Sequence, residues 1–247
     1  MGKNKNKKIV SANGKPFVSV CTPTYNRREF IPTLIRCFKD QIYPKQLIEW
    51  IVVDDGTDPV GDLFEGVECV KYIHLEEKMK LGAKRNFIHS HCRGEILVYM
   101  DDDDFYPPER INEAVNKLHS QPTALACGCS KILVYFKHNE KIYEFGPYGQ
   151  SHATAGTFAF HRELLKETSY DENAEMAEER HFLKNYTIPF VQLNSEKTIL
   201  VLSHDSNTFD KKQFVDGNLQ NPLVKETQLK LKHFIKNKKT IEFYKSL

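Results

Sequence analysis

Residues 96–110 read Ile-Leu-Val-Tyr-Met-Asp-Asp-Asp-Asp-Phe-Tyr-Pro-Pro-Glu-Arg. Five apolar residues predict a buried strand, and four consecutive carboxylates, Asp101 to Asp104, follow it directly. Four adjacent carboxylates repel one another, so we expect a positive ligand among them. Magnesium or manganese is the natural candidate, because such ions bind one or two carboxylates while substrate phosphates complete the shell. A solvated acidic turn without a ligand is the alternative.

Composition places the chain among ordinary soluble proteins. Its 247 residues are enough for one large domain, and the net charge of +2 gives no indication of a nucleic-acid partner. The six cysteines lie mostly in apolar runs and form no Cys-x-x-Cys, which predicts buried thiols in a reducing compartment. The N-terminus is too polar for a signal peptide, and no run is long enough to span a bilayer. We therefore expect a soluble cytoplasmic protein.

Strand and helix patterns alternate through the first 120 residues. This β-α-β-α-β-α-β series predicts an α/β fold with a mostly parallel central sheet and helices on both faces. Two later apolar runs, 124–136 and 141–145, predict a hairpin, so the second half should be mixed. The predicted organisation is a disordered basic arm over residues 1–15, a domain over residues 16–210 divided at residue 120, and a basic helical extension over residues 211–247.

Polar stretches follow three of the predicted parallel strands. Thr22 to Asn26, Asp54-Asp55 and Asp101 to Asp104 all stand at strand ends, where such sheets bind ligands. Arg85 lies in the first turn of a predicted helix near the same edge. This set suits a nucleoside diphosphate attached to another group. A cation and Arg85 would bind the charged pyrophosphate, and Asp55 would form a hydrogen bond with the nucleobase or the ribose. Arg85 as a solvated helix cation is the alternative.

Four motifs in order resemble those of the family 2 glycosyltransferases, which have the GT-A fold. The resemblance covers residues 17–120 and reaches more loosely to about residue 210. The motifs are Val18-Ser-Val-Cys-Thr-Pro-Thr-Tyr-Asn-Arg27, Ile51-Val-Val-Asp-Asp-Gly-Thr57, Gly82-Ala-Lys-Arg-Asn86 and Val98-Tyr-Met-Asp-Asp-Asp-Asp104.

The resemblance implies inverting transfer of a sugar from a UDP- or GDP-sugar to a hydroxyl of a glycan, glycoprotein or other acceptor. The family's Asp-x-Asp motif maps onto Asp101 and Asp103, with Asp103 as the direct ligand of Mn²⁺ or Mg²⁺. Asp102 is implied as a ribose or metal-shell contact. Pro23 and Tyr25 fall where the family lines the base pocket.

The resemblance also implies an acidic general base in the second half. Members usually carry Glu-Asp there, with an apolar residue three positions later. Glu179 with Phe182 fits that spacing in a predicted helix over residues 175–186, although Glu replaces Asp, and Glu178 is the alternative base. An exposed helix face is the structural alternative for both. His204 follows a strand and would complete the metal shell, as a late histidine does in some GT-A enzymes, or it lies outside any site.

Two other classes of protein remain open. A nucleotidyltransferase that makes a nucleotide sugar would need a Gly-rich basic loop after its first strand, which residues 22–26 do not supply. A non-catalytic module that binds a nucleotide sugar or glycan would share the site without turnover. The basic helix predicted from Pro222 is expected to be solvated or to contact an anionic membrane or a partner.

Overall fold

The computed structural model describes residues 14–174, 179–204, 211–217 and 221–247. All but the last two residues of the basic arm predicted over residues 1–15 therefore lie outside the described residues. No helix within the described ranges combines the length and the apolar character needed to cross a bilayer.

The first half alternates strands and helices as predicted. Every residue of its strands β1, β2 and β4 is buried, which is typical of interior strands in a parallel sheet. Helix α1 begins at Ile31 and turns its apolar side chains onto the sheet. The elements are β1 (Val18–Thr24), α1 (Ile31–Lys39), β2 (Ile48–Asp54), β3 (Val70–His74), α2 (Leu81–His91), β4 (Ile96–Tyr99) and α3 (Arg110–Ser120).

The second half is mixed, also as predicted. Strands β6 and β7 form the expected antiparallel hairpin, in which Ile132 faces Phe145. The elements are β5 (Ala126–Gly128), β6 (Ile132–Phe136), β7 (Lys141–Phe145), β8 (Ala159–His161), α4 (Glu179–Phe182), β9 (Phe190–Gln192), β10 (Leu200–Ser203), β11 (Val224–Glu226), α5 (Leu231–Phe234) and α6 (Lys238–Ser246).

Two sheets organise these strands. The larger has the order β3-β2-β1-β4-β8-β5-β9, and the smaller has the order β10-β6-β7-β11. Strand β1 runs parallel to β2 and β4, whereas β8 runs antiparallel between β4 and β5. The carboxyl ends of β1, β2, β4, β5 and β9 therefore share one edge of the larger sheet, which is where ligands bind in such folds.

The single basic helix predicted from Pro222 is wrong. Strand β11 instead pairs antiparallel with β7, and α5 and α6 follow it. The Arg36 Nη1 of α1 donates hydrogen bonds to Asn237 Oδ1 at 2.9 Å and to Thr240 Oγ1 at 2.6 Å, so α6 is anchored on α1. Contact of this segment with an anionic membrane or a partner stays a prediction.

The helix predicted over residues 175–186 ends earlier than expected. Residues 175–178 lie outside the described part of the chain, and α4 ends at Phe182. Lys184, Asn185 and Tyr186 have φ angles of 49°, 54° and 63°, which is left-handed backbone and cannot continue a right-handed helix.

Candidate active site

A cleft of about 710 Å³ opens at the carboxyl edge of the larger sheet, above β1 and β4. Its wall contains the whole acidic turn, and cationic side chains outnumber the carboxylates. Such a mixture suits an anionic ligand held together with a cation. The lining residues are Pro23, Thr24, Tyr25, Arg27, Lys78, Met79, Lys80, Leu81, Lys84, Arg85, Asp101, Asp102, Asp103, Asp104, Val201 and Lys211.

The four carboxylates of the turn have different environments. Burial and the adjacent Asp103 charge raise the pKa of Asp102 to about 8. Burial and the same charge raise the pKa of Asp104 well above its usual value. Burial would also raise the pKa of Asp103, but the hydrogen bond from His204 and the charge of Arg27 hold it below its usual value. Asp103 is therefore the carboxylate of these three that the surroundings keep ionised.

His204 lies beside Asp103, although 101 residues separate them in sequence. Its Nε2 is 3.1 Å from Asp103 Oδ2, and its ring is 4.8 Å from the ring of Phe30. The third predicted metal ligand, Asp101, is bound to Arg85 instead. All three predicted ligands therefore lie at the acidic turn: Asp101 and Asp103 line the cleft, and His204, which does not line it, contacts Asp103.

The donor set fits a small divalent cation bound jointly with a substrate. Within the described residues, no group of three or more His, Cys, Asp or Glu side chains is assembled to hold a metal by itself. Asp103 and His204 supply one carboxylate and one imidazole, and both are ligands that manganese accepts. Magnesium and manganese commonly take one or two protein ligands and fill their shell with phosphate oxygens and water.

Arg85 is held firmly in the cleft wall. It is 2% exposed, and its Nη1 and Nη2 each lie 3.2 Å from an oxygen of Asp101. The guanidinium carbon also lies 4.4 Å from the centre of the Tyr99 ring, in cation–π geometry. The burial and these contacts contradict the alternative of a solvated helix cation.

We expect Arg85→Ala to weaken binding of a nucleoside diphosphate by about 1.5 to 3 kcal/mol, the usual contribution of a hydrogen bond to a charged group. Isothermal titration calorimetry with UDP and GDP measures the change. Arg93→Ala is the matched control, because its side chain is 71% exposed and pairs with Glu49 outside the cleft. Equal losses in the two variants would contradict a role for Arg85 in the site.

Arg27 is a site residue that sequence reasoning missed, and Lys84 was recognised only as the basic neighbour of Arg85 at the start of a helix. Arg27 Nη2 lies 3.6 Å from Asp103 Oδ2, and Lys84 lines the cleft while 4% exposed. Burial lowers the pKa of Lys84, and its ion pair with Asp55 opposes that shift. Arg27 and Lys84 both lie inside the quoted motifs, so their positions in those motifs could have identified them as site residues.

Asp55 is buried beneath the cleft rather than lining it. Its Oδ1 accepts a hydrogen bond from Lys84 Nζ, and its Oδ2 accepts one from the backbone N–H of Met79 at 2.7 Å. Lys84 and Met79 themselves line the cleft. Tyr25 and Pro23 line it directly, and Lys78 Nζ lies 4.0 Å from the centre of the Tyr25 ring.

Asp54 closes the turn after β2. Its carboxylate accepts hydrogen bonds from the backbone N–H groups of Gly56 at 2.8 Å and Val60 at 3.0 Å, and from the Tyr72 hydroxyl at 2.7 Å. Removal of the carboxylate would take this acceptor from the Gly56 N–H and the Tyr72 hydroxyl, whereas the Val60 N–H would keep a 3.2 Å hydrogen bond to the Tyr72 hydroxyl oxygen. Asp54 therefore supports the loop and does not contact the cleft.

We expect Asp54→Ala to lower the free energy of unfolding by about 2 to 4 kcal/mol, because it leaves two of these donors unsatisfied. Urea denaturation measures this change. The control is Asp58→Ala, an exposed carboxylate paired with Arg28, which should stay within about 0.5 kcal/mol of the parent. A stable Asp54→Ala protein would show that the carboxylate is not needed by the turn.

Of the two predicted bases, Glu178 lies outside the described residues. Glu179 is half-buried at the first residue of α4 and does not line the 710 Å³ cleft. Phe182 fixes this helix by stacking on Tyr170 at 4.4 Å, and Tyr170 in turn lies 5.8 Å from the Arg85 guanidinium. Helix α4 is thus packed against the wall that carries Arg85.

Comparison with known proteins locates the chain among glycosyltransferases. Residues 19–144 match a family model described as Glycosyl transferase family 2. A putative teichuronic acid biosynthesis glycosyltransferase, TuaG of Bacillus subtilis, is 29% identical over 119 residues, or 46% of each chain. The poly(ribitol-phosphate) beta-N-acetylglucosaminyltransferase TarS of Staphylococcus aureus is 32% identical over 101 residues, or 39% of this chain and 18% of TarS. The chain thus spans less than half the length of these relatives.

Solved structures with similar folds are glycosyltransferases. The mannosyltransferase PcManGT from Pyrobaculum calidifontis, in complex with GDP-Man and Mn²⁺, superposes with a TM-score of 0.64 at 19% identity, covering 82% of this chain and 62% of that one. TarS residues 1–349 from S. aureus, in complex with UDP-GlcNAc, superpose with a TM-score of 0.59 at 20% identity. This match covers 77% of this chain and 59% of the TarS chain. These likenesses confirm the predicted GT-A fold.

Proposed function

Because the chain belongs to glycosyl transferase family 2, we propose that it transfers a sugar from a UDP- or GDP-sugar to a hydroxyl of a glycan or glycoprotein, with a divalent metal and with inversion at the anomeric carbon. One observation carries this proposal most. The cleft at the sheet's carboxyl edge is lined by Asp103, Arg85, Arg27 and Lys84, and His204, which does not line it, contacts Asp103. A nucleoside diphosphate needs both a cation site and basic side chains around it.

In this proposal Asp103 and His204 hold Mn²⁺ or Mg²⁺, which would offset the charge of the departing diphosphate when bound. Arg85 and Lys84 bind diphosphate oxygens, and Arg85 is kept in place by Asp101. Asp102 serves the ribose or the metal shell. The nucleobase of the donor stacks near Tyr25 and Pro23. Asp55 holds Lys84 in place from beneath the cleft.

We assign the general base to Glu179, with Glu178 as the alternative. Inversion requires the acceptor hydroxyl to attack the face opposite the diphosphate, and a carboxylate must accept its proton. The packing of α4 through Tyr170 toward Arg85 supports a location beside the donor cleft. The related-enzyme pattern of an acidic residue followed three positions later by an apolar one supports the same choice.

A thermal-shift screen with nucleotides tests donor binding. UDP, GDP and their sugars are added with manganese or with EDTA, and the melting temperature is measured. A ligand at 100 times its Kd stabilises the folded state by about 2.7 kcal/mol, so we expect a clear rise with at least one nucleotide in manganese and little in EDTA.

Product analysis separates the other two classes of protein. A nucleotidyltransferase would release inorganic pyrophosphate from a nucleoside triphosphate and a sugar phosphate. A non-catalytic module would be stabilised by a nucleotide sugar and release no nucleoside diphosphate. Either product pattern would contradict the proposed transfer.

We also propose a cytoplasmic location. All six cysteines are free, and five of them are buried, which supports a reducing compartment. Mass spectrometry of the alkylated protein isolated from its host would show six reduced thiols.

A further inference from the structure

A second cleft, of about 740 Å³, lies at the same edge of the larger sheet and shares no lining residue with the first. Ser130, just after β5, and Gln192, the last residue of β9, form its floor. Lys131, just before β6, and Glu144 of β7 also line it. The parallel direction of β5 and β9 places this cleft beside the acidic turn rather than on the opposite edge.

Two chain segments connect the second cleft with the first. One runs from Gly149, in the second cleft, to Gly156, where a Cβ atom would lie only 2.9 Å from Asp101 Oδ2. The other runs from Asn194 to Leu202, whose backbone N–H donates to Asp104 Oδ1 at 3.0 Å. Both segments therefore link residues that line the second cleft with residues that contact the acidic turn.

Hydrogen bonds fix the walls of the second cleft. The Gln192 side chain accepts from Ser130 N–H at 2.7 Å and donates to the carbonyls of Gln150 at 2.7 Å and His152 at 2.9 Å. The Ser130 hydroxyl oxygen accepts from the N–H groups of Tyr148 at 2.7 Å and Gly149 at 2.8 Å. The loop over residues 147–152 is thus held in one conformation, which lowers the entropy cost of binding.

Aromatic rings stand at the margin of this loop. Tyr148 is 42% exposed, and its ring centroid is 5.1 Å from that of His152, which is 5.2 Å from that of Tyr186. The buried Nδ1 of His152 has no hydrogen-bond partner within the described part of the chain. Tyrosine combines a rigid apolar face with a polar hydroxyl, and a sugar ring offers C–H faces with hydroxyls around its rim.

The charges of the second cleft favour a neutral ligand. Its lining contains one lysine, Lys131, whose Nζ is already 3.0 Å from Glu144 Oε2, and a further carboxylate, Glu196. Burial lowers the pKa of His152, so that the imidazole adds no positive charge near neutral pH. A phosphate-rich polymer would meet excess negative charge here.

We propose that the second cleft binds an uncharged oligosaccharide portion of the acceptor, and that one sugar ring stacks on the exposed Tyr148, which lies in sequence between the lining residues Pro147 and Gly149 without lining the cleft itself. This inference rests on the proposed transferase function. Tyr186 follows α4, the helix that begins with the assigned base Glu179, so the aromatic row ends on the same chain segment as that residue. The cleft would then hold acceptor residues next to the one that reacts.

The test measures binding of the full chain to an array of neutral and phosphorylated oligosaccharides, followed by calorimetry on the tightest neutral one. We expect Tyr148→Ala to weaken that binding about tenfold, which corresponds to about 1.4 kcal/mol. Tyr148→Phe keeps the ring and should stay within about twofold of the parent. Ile42→Ala is the matched control, since Ile42 is the other large apolar side chain that is well exposed, at 59%, in the described residues.

A charge variant tests the ligand class independently. Glu196→Lys should gain binding of phosphorylated oligosaccharides, while UDP and GDP titrate as with the parent chain. The proposal is overturned if the parent binds no neutral oligosaccharide, if it binds phosphorylated ones more tightly, or if Tyr148→Ala binds as the parent does. If the parent chain binds neutral oligosaccharides through Tyr148 but binds neither UDP nor GDP, the proposal for the second cleft stands and the transferase function is contradicted.

Discussion

Asp103→Ala is expected to reduce sugar transfer on the order of 10³-fold, because the metal contributes several kcal/mol to stabilising the departing diphosphate. Asp103 is the carboxylate of the acidic turn whose pKa His204 and Arg27 hold low against burial. Its loss removes one of the two proposed protein ligands. Initial rates at saturating donor and manganese measure the effect, and calorimetry should show nucleotide binding in manganese reduced nearly to its level in EDTA.

Asp58→Ala provides the control for this loss. Asp58 is an exposed carboxylate whose Oδ2 lies 2.8 Å from Arg28 Nε, and it does not line the cleft. Its removal should leave the rate and the metal dependence unchanged. If Asp103→Ala and the parent give the same titration curve in manganese, the assignment of the metal ligand is wrong.

Glu179→Gln is expected to lower the rate of transfer by about 10² to 10⁴, the usual contribution of a general base. Glutamine keeps the size of the side chain but cannot accept the hydroxyl proton, so donor and metal affinity should be nearly intact. A fall in kcat without loss of nucleotide binding is therefore the expected pattern. Stopped-time assays with separate calorimetry of the donor nucleotide resolve the two quantities.

Two further variants locate the base. Glu167→Gln alters an exposed carboxylate 3.8 Å from Lys184 Nζ and should have no effect. Glu178→Gln should be much milder than Glu179→Gln. Abolished transfer in Glu178→Gln alone would move the base by one residue, and retention of the donor's anomeric configuration in the product would contradict the inverting mechanism itself.

Apolar runs and their order were enough to predict the first half of the fold. Strands β1, β2 and β4 are buried along their whole length, so their sequences are mostly apolar, with Ser19 and Glu49 as buried polar exceptions, and they end at polar turns. Parallel strands share a carboxyl edge, so the convergence of Thr24, Asp54 and the acidic turn followed from the pattern alone.

Side-chain pairing within the site could not be predicted in the same way. Asn26, just after β1, has left-handed backbone with φ of 53°, and the next residue, Arg27, lies against Asp103 of the acidic turn. The ion pair of Lys84 with Asp55 depends on how α2 packs beside β2. Neither the backbone conformation of Asn26 nor the Lys84–Asp55 ion pair leaves a periodic pattern in the sequence, although both determine which side chains face the cleft.

Short strands were the other source of error. Strand β11 has three residues, too few for alternation to be recognised among lysines, and its pairing with β7 is a contact between distant parts of the chain. Tertiary pairing therefore overrode the helical pattern that the residues after Pro222 suggested.

The most direct test of the account is release of nucleoside diphosphate from UDP- and GDP-sugars by the purified chain, with water or an added glycan as the acceptor. We expect at least one donor to release its nucleoside diphosphate in manganese, with release stopped by EDTA and by Asp103→Ala. Folded protein that releases nothing from any of these donors, or that does so equally in EDTA, would contradict metal-dependent sugar transfer in this cleft.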